Sequence, residues 1–172
     1  MSMEDLERAF ELIEENFEED EIEFCEPQKE STIQSAENIL ACKFPKSYRK
    51  FIKEYGCGGA GSLEIYGIIK DEEFKKENIP FVAVPNMVWA TLKRNRDFDH
   101  PLHLLIIYNV GEGSLYCLDT SQMNEDGECP VVVWPIGGYA QTPVLEVVAD
   151  DFGAFFLDMV KQQIAYKKES QE

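Results

Sequence analysis

Three features of the sequence predict an α+β fold, with a mainly antiparallel sheet of about five or six strands. Helical periodicity dominates the first third of the chain. Short apolar runs separated by turn residues fill the stretch from 63 to 148. A strongly apolar helix follows at the C-terminal end. At 172 residues the chain suits one domain over 1–172 with a sizeable core, and it shows no internal repeat or dividing linker.

The first helix places Leu6, Phe10, Ile13 and Phe17 on one stripe, with Glu7, Glu11, Glu14 and Glu15 around it. Glu18, Glu19, Asp20 and Glu21 come next, at the negative end of that helix where carboxylates are unfavourable, so the helix stops there. Residues 1–30 thus read as an acidic helix and connector. After Pro27 a second helix begins, with Ser31 as cap and Gln34 reaching back in a capping box; Ile33, Ala36, Glu37 and Leu40 follow at helical spacing.

The third helix has clear punctuation. Pro45 suits a first helical position, Tyr48, Phe51, Ile52 and Tyr55 recur at i, i+3, i+4 and i+7, and Gly56 stands where a left-handed cap belongs. Its weakness is the start, because Phe44 offers no side-chain acceptor for the first amides. Gly58, Gly59 and Gly61 break the chain, and Leu63 and Ile65 alternate with Glu64 and Tyr66 as a strand that Gly67 ends. The face of the third helix is expected to pack on the sheet.

Asp71 to Asn78 reads as a charged loop or short helical turn, Phe81 to Val84 as a short strand, and Pro85-Asn86 as the start of a helix through Met87, Trp89, Ala90 and Leu92. Leu104 to Tyr108 is apolar on both faces, as a central strand would be. Asn109 to Ser114 supplies a turn into a returning strand, Leu115 to Leu118. Cys129 to Trp134 forms another strand, Gly137-Gly138 a break, and Val144 to Val148 a last strand. Asp150 then caps a helix whose Phe152, Phe155, Phe156, Met159 and Val160 face inward.

The formal charge of −17 repels nucleic acid and anionic membranes and steers a basic partner toward the chain. Five cysteines, at 25, 42, 57, 117 and 129, show no close pairing and no CxxC knuckle, which points to a reducing cytoplasm. Residues 1–20 carry no secretory signal pattern, and the apolar runs are too short to span a bilayer.

No enzyme signature survives inspection. Cys57 sits after a helix C-terminus, whose negative dipole raises a thiol pKa, and the same polarity disfavours phosphate binding. His100 and His103 flank Pro101-Leu102, which is not a helical ligand pair, and they read as loop histidines. No single carboxylate pair, Asp150 and Asp151 included, can be singled out as an acid/base couple. No catalytic residue, metal or cofactor is expected.

The helix end Leu40-x-Cys42-x-Phe44-Pro45, then Ser47-Tyr48-x-x-Phe51-Ile52-x-x-Tyr55-Gly56, the glycine break and Ile65-Tyr66-Gly67 together resemble the signature of the SUKH superfamily. Gly113 to Asp119, Gly127 to Val132 with Trp134, and Ala149 to Phe152 with Phe155-Phe156 are similar to later family pieces in the same order. The likeness therefore runs over about 33–160 and leaves the acidic N-terminal region outside its strongest part. That group holds bacterial toxin-immunity proteins and yeast cell-wall (glucan) synthesis regulators.

The resemblance implies a cytoplasmic immunity protein that neutralises a cognate nuclease toxin, the RNase or DNase domain of a polymorphic toxin used in contact-dependent competition. An acidic inhibitor can occlude the basic surface with which a nuclease holds phosphates. The expected contacts are Glu18, Glu19, Asp20 and Glu21 with Glu112, Glu125, Asp126 and Glu128. No direct nucleic-acid or membrane contact is expected, and a homo-oligomer is possible without being predicted. The alternatives are a scaffold resembling the cell-wall regulators, which binds several partners, and a small-ligand enzyme using Cys57 or the histidines.

Overall fold

The computed structural model describes residues 1–82, 84–136 and 145–171. It contains five helices and two antiparallel sheets, one of two strands and one of four. The α+β expectation therefore holds, with its six strands divided between two sheets.

Helix α1 (Ser2–Asn16) buries Leu6, Ala9 and Ile13 against the C-terminal helix α5 (Phe152–Ser170) and leaves its glutamates outside. The two begin close together, since Ser2 Oγ accepts a hydrogen bond from the Gly153 amide at 3.0 Å. A 3₁₀ turn (Glu19–Glu21) follows and leads into β1 (Ile22–Phe24), which pairs with β2 (Gly58–Ala60). So the glycines after the third helix are a strand and not simply a break. A side chain at Gly58, whose φ is +110°, would run into the Glu23 backbone. Only glycine lets β1 come so near.

Helix α2 (Glu30–Leu40) begins one residue before Ser31, so Ser31 is not its cap. Asp71 caps it from outside: its Oδ1 accepts from the Lys29 amide at 2.9 Å and from the Thr32 hydroxyl at 2.7 Å. Helix α3 (Lys46–Tyr55) starts just after Pro45. Its Tyr48, Phe51 and Ile52 are fully buried. They do not lie mainly on a sheet. Phe51 meets Phe10 of α1 and Phe152 and Phe156 of α5, which makes α3 the middle of a helical layer. The Tyr48 hydroxyl donates to the Tyr66 carbonyl at 2.7 Å and ties this layer to the chain beyond.

Leu63 and Ile65 are buried, but residues 63–66 form only an isolated bridge, Gly58 to Ile65, not a full strand. Around Phe81 the chain is not a strand either; Ala83 lies outside the described residues. Helix α4 (Met87–Phe98) starts where expected, with the Asn86 side chain accepting from the Trp89 amide at 3.0 Å.

The larger sheet joins β3 (Leu104–Asn109), β4 (Ser114–Asp119), β5 (Val131–Pro135) and β6 (Val147–Ala149) in that order, all antiparallel. The doubly apolar β3 is therefore an edge strand, not a central one. Its edge is covered: the Ile107 carbonyl accepts from the Tyr66 amide at 2.8 Å, and the Ile106 amide donates to Thr91 Oγ1 at 3.1 Å. That cover is what its unbroken apolar run reflects. The expected break at Gly137-Gly138 and the start of the last strand at Val144 lie outside the described residues. Asp151, not Asp150, caps α5, accepting from the Ala154 amide at 2.8 Å.

The strand pairing also explains a bond that sequence spacing hides. Phe24 pairs with Gly58, so the next residues outward, Cys25 and Cys57, face each other with Cα atoms 5.1 Å apart and are joined as a disulfide. The expectation of unpaired cysteines fails for these two. Their 32-residue separation gives no local signal.

Candidate partner-binding surface

The acidic run is built rather than frayed. The Glu18 amide donates to Glu21 Oε1 at 2.9 Å, and the Glu21 amide returns to the Glu18 carbonyl at 2.9 Å, a reciprocal cap that closes the 3₁₀ turn. Lys167 of α5 then reaches across, donating to Glu21 at 2.6 Å and to the Asn16 carbonyl at 2.8 Å. The Lys167 bond, with the Glu18 backbone bond behind it, holds the Glu21 carboxyl below the usual range. Glu18, Glu19 and Asp20 remain exposed. This anchoring lysine is a residue that sequence reasoning missed, because its partner is 146 positions away.

The other acids do not join one patch. Glu112 stands in the β3–β4 turn, while Glu125 and Asp126 stand in the β4–β5 loop at the opposite end of β4. The six residues of β4 put roughly 20 Å between those two places. The exposed carboxylates therefore do not form one patch, because Glu112 and the pair Glu125 and Asp126 stand at opposite ends of β4.

Glu128 leaves the surface altogether. It is 5% exposed and points at the start of α3, where Oε2 accepts from the Ser47 amide at 3.0 Å and Oε1 from the Ser47 hydroxyl at 2.6 Å. Burial raises its pKa, and the two Ser47 bonds pull it back. With the Gly127 carbonyl accepting from the Lys46 amide at 2.9 Å, it supplies the cap that α3 lacks locally. A partner has no access to this carboxylate, so the expectation that Glu128 is a contact is withdrawn.

The residues considered for chemistry are placed plainly. Cys57 is disulfide-bonded, and burial raises the thiols of Cys42, Cys117 and Cys129, Cys42 to about 11. Among the described residues no cluster of three His, Cys, Asp or Glu side chains is arranged to hold a metal ion. No described helix is long and apolar enough to cross a membrane.

His100 is a loop histidine as expected, between α4 and β3, but a buried one, 1% exposed and packed edge-on to Trp134. Its Nε2 lies 2.8 Å from the Leu104 carbonyl, which requires that nitrogen to carry the proton. Burial pushes its pKa down to about 4. The unfolded chain protonates this ring below about pH 6.5, whereas the folded chain resists until near 4. Stability is therefore intact above pH 6.5 and falls as the pH drops toward 4, by about 2–3 kcal/mol from this group. Urea unfolding across that window is expected to show the slope, and His100→Gln, which keeps a donor for Leu104, is expected to flatten it.

One comparison bears on the whole arrangement. The family described as SUKH_5, SMI1-KNR4 cell-wall, matches residues 6–161. The match takes in α1 and the acidic run, which the sequence likeness had left outside its strongest part.

Proposed function

The chain belongs to the SUKH (SMI1-KNR4) family, and from that membership we propose that it is an immunity protein that binds and neutralises a nuclease toxin. The observation that carries this reading is the ordered, exposed acidic run Glu18–Asp20, pinned at Glu21 by Lys167. A nuclease must present Lys and Arg to hold phosphates, and a fixed set of carboxylates competes for that surface without the entropy cost of ordering a loose tail. Glu112, and Glu125 with Asp126, lie at opposite ends of β4 and would make separate, further contacts.

The proposed place of action is the cytoplasm. There a reducing medium opposes the Cys25–Cys57 bond, so the β1–β2 ladder and the Lys167–Glu21 pair must hold the acidic run in position. The scaffold reading has one support, the words cell-wall in the family description. It is separated from immunity by the adjacent gene, since a toxin encoded next door favours immunity.

Neutralising the run (Glu18→Gln, Glu19→Gln and Asp20→Asn together) is expected to slow association with the toxin about ten-fold at low salt. The difference should shrink as salt is raised, with little change in dissociation. Stopped-flow binding to the nuclease domain measures this. Equal rates for the two proteins at low salt would remove the electrostatic reading.

A further inference from the structure

A second surface has the opposite character. Phe81 is 90% exposed and Val82 70%, large values for apolar side chains standing together. With Val84 and Ile136 they rim a groove of about 330 Å³ beside α4. Buried Tyr66, Ile106 and Leu115 line its depth.

The charges in this groove run against the rest of the molecule. The chain carries 33 acidic and 16 basic residues, yet among the described residues the only charged side chains lining the groove are Lys93 and Arg94. The Lys93 ammonium lies 5.0 Å from the centre of the Phe81 ring and donates to the Phe81 carbonyl. The Arg94 guanidinium stacks on Phe98 at 4.9 Å, and its Nε is buried with no acceptor among the described residues. Neither cation forms an ion pair with a described carboxylate. The groove thus offers apolar contact and positive charge side by side, with Asp97, one turn along α4 from Lys93, close enough for the lysine to lower its pKa.

We propose that this groove docks a segment of a partner protein that carries an apolar side chain next to a carboxylate. The apolar group enters between the exposed rim and Leu115, and the carboxylate is received by Lys93 and Arg94. Two other occupants fit the chemistry less well. Residues 137–144 of the chain itself, Gly-Gly-Tyr-Ala-Gln-Thr-Pro-Val, contain no carboxylate. A symmetric second copy would bring against the groove a like surface whose described lining holds no carboxylate. The site is distinct from the acidic run and does not depend on the toxin's identity.

The test uses the full chain and fluorescein-labelled peptides with a Leu-Phe centre flanked by Asp and Glu, compared with the same peptides carrying Asn and Gln. Fluorescence anisotropy is expected to show the acidic peptide binding at least about ten-fold tighter. Lys93→Glu should abolish that preference, and Phe81→Ser should weaken both peptides. Phe81 is exposed, so unfolding does not explain its effect, and unchanged melting of both variants checks this. The proposal is overturned if neither peptide binds, if the preference is absent, or if it survives Lys93→Glu. It is also overturned if sedimentation shows self-association abolished by Phe81→Ser, which assigns the groove to a second copy. Binding that appears only when residues 137–144 are replaced by a Gly-Ser linker assigns it to the chain's own segment.

Discussion

Replacing Glu128 with alanine is expected to destabilise the protein by roughly 2–5 kcal/mol, because it leaves two buried donors without acceptors. The Ser47 amide and hydroxyl both give their protons to this carboxylate. No residue at the start of α3 replaces it, since Pro45 at the cap position has no polar side chain. The helix dipole adds a smaller favourable term for a negative charge there. Glu128→Gln is expected to lose about half as much, since its amide offers one acceptor where the carboxylate offers two. Equilibrium denaturation of the three proteins gives the order directly. Neutralising exposed Glu125 and Asp126 should change stability by less than about 0.5 kcal/mol. If Glu128→Ala is equally mild, the capping role is wrong.

The second large effect is expected at Gly67. A Cβ there would overlap the carbonyl of Gly56, which is backbone and cannot swing aside. Around this point the Ile68 amide donates to the Gly56 carbonyl at 2.8 Å, the Gly67 amide to Pro85 at 3.0 Å, and the Met87 amide to Gly67 at 2.7 Å. Three segments meet with no side chain between them. Gly67→Ala must push them apart and is expected to cost about 3 kcal/mol or more. Gly111 is the control. A Cβ there meets open space, so Gly111→Ala pays only for its φ of +85°, about 1 kcal/mol. Similar losses at both positions would show that close approach is not what Gly67 provides.

What the sequence made legible was what is decided locally. The start of α4 was readable because Asn86 caps it three residues from the amide it serves. The end of α3 was readable because Gly56 takes a positive φ of 76°, although its ψ of −65° makes a different turn from the left-handed cap expected. Asp150 and Asp151 offer the same capping signal side by side, and the sequence does not tell which of them caps α5.

What stayed hidden was decided by distant partners. The caps of α2 and α3 come from Asp71 and Glu128, 42 and 81 residues from the amides they serve. The β2 strand was hidden because Gly58 and Gly59 have no side chains with which to show alternation. With β2 unseen, the neighbouring Cys25–Cys57 pair was unseen too. The candidate contacts followed the same rule. That the surface is acidic was evident from composition. That its carboxylates divide between two ends, and that Glu128 is inside, depends on how β4 and α3 are placed.

The proposed immunity role stands or falls on one titration, that of a nuclease toxin domain, if the adjacent gene encodes one, with increasing amounts of the full chain. The expected result is loss of nuclease activity that reaches completion near one chain per toxin domain, with no effect on an unrelated nuclease. Undiminished activity at a clear excess of chain, with no complex formed, would contradict it.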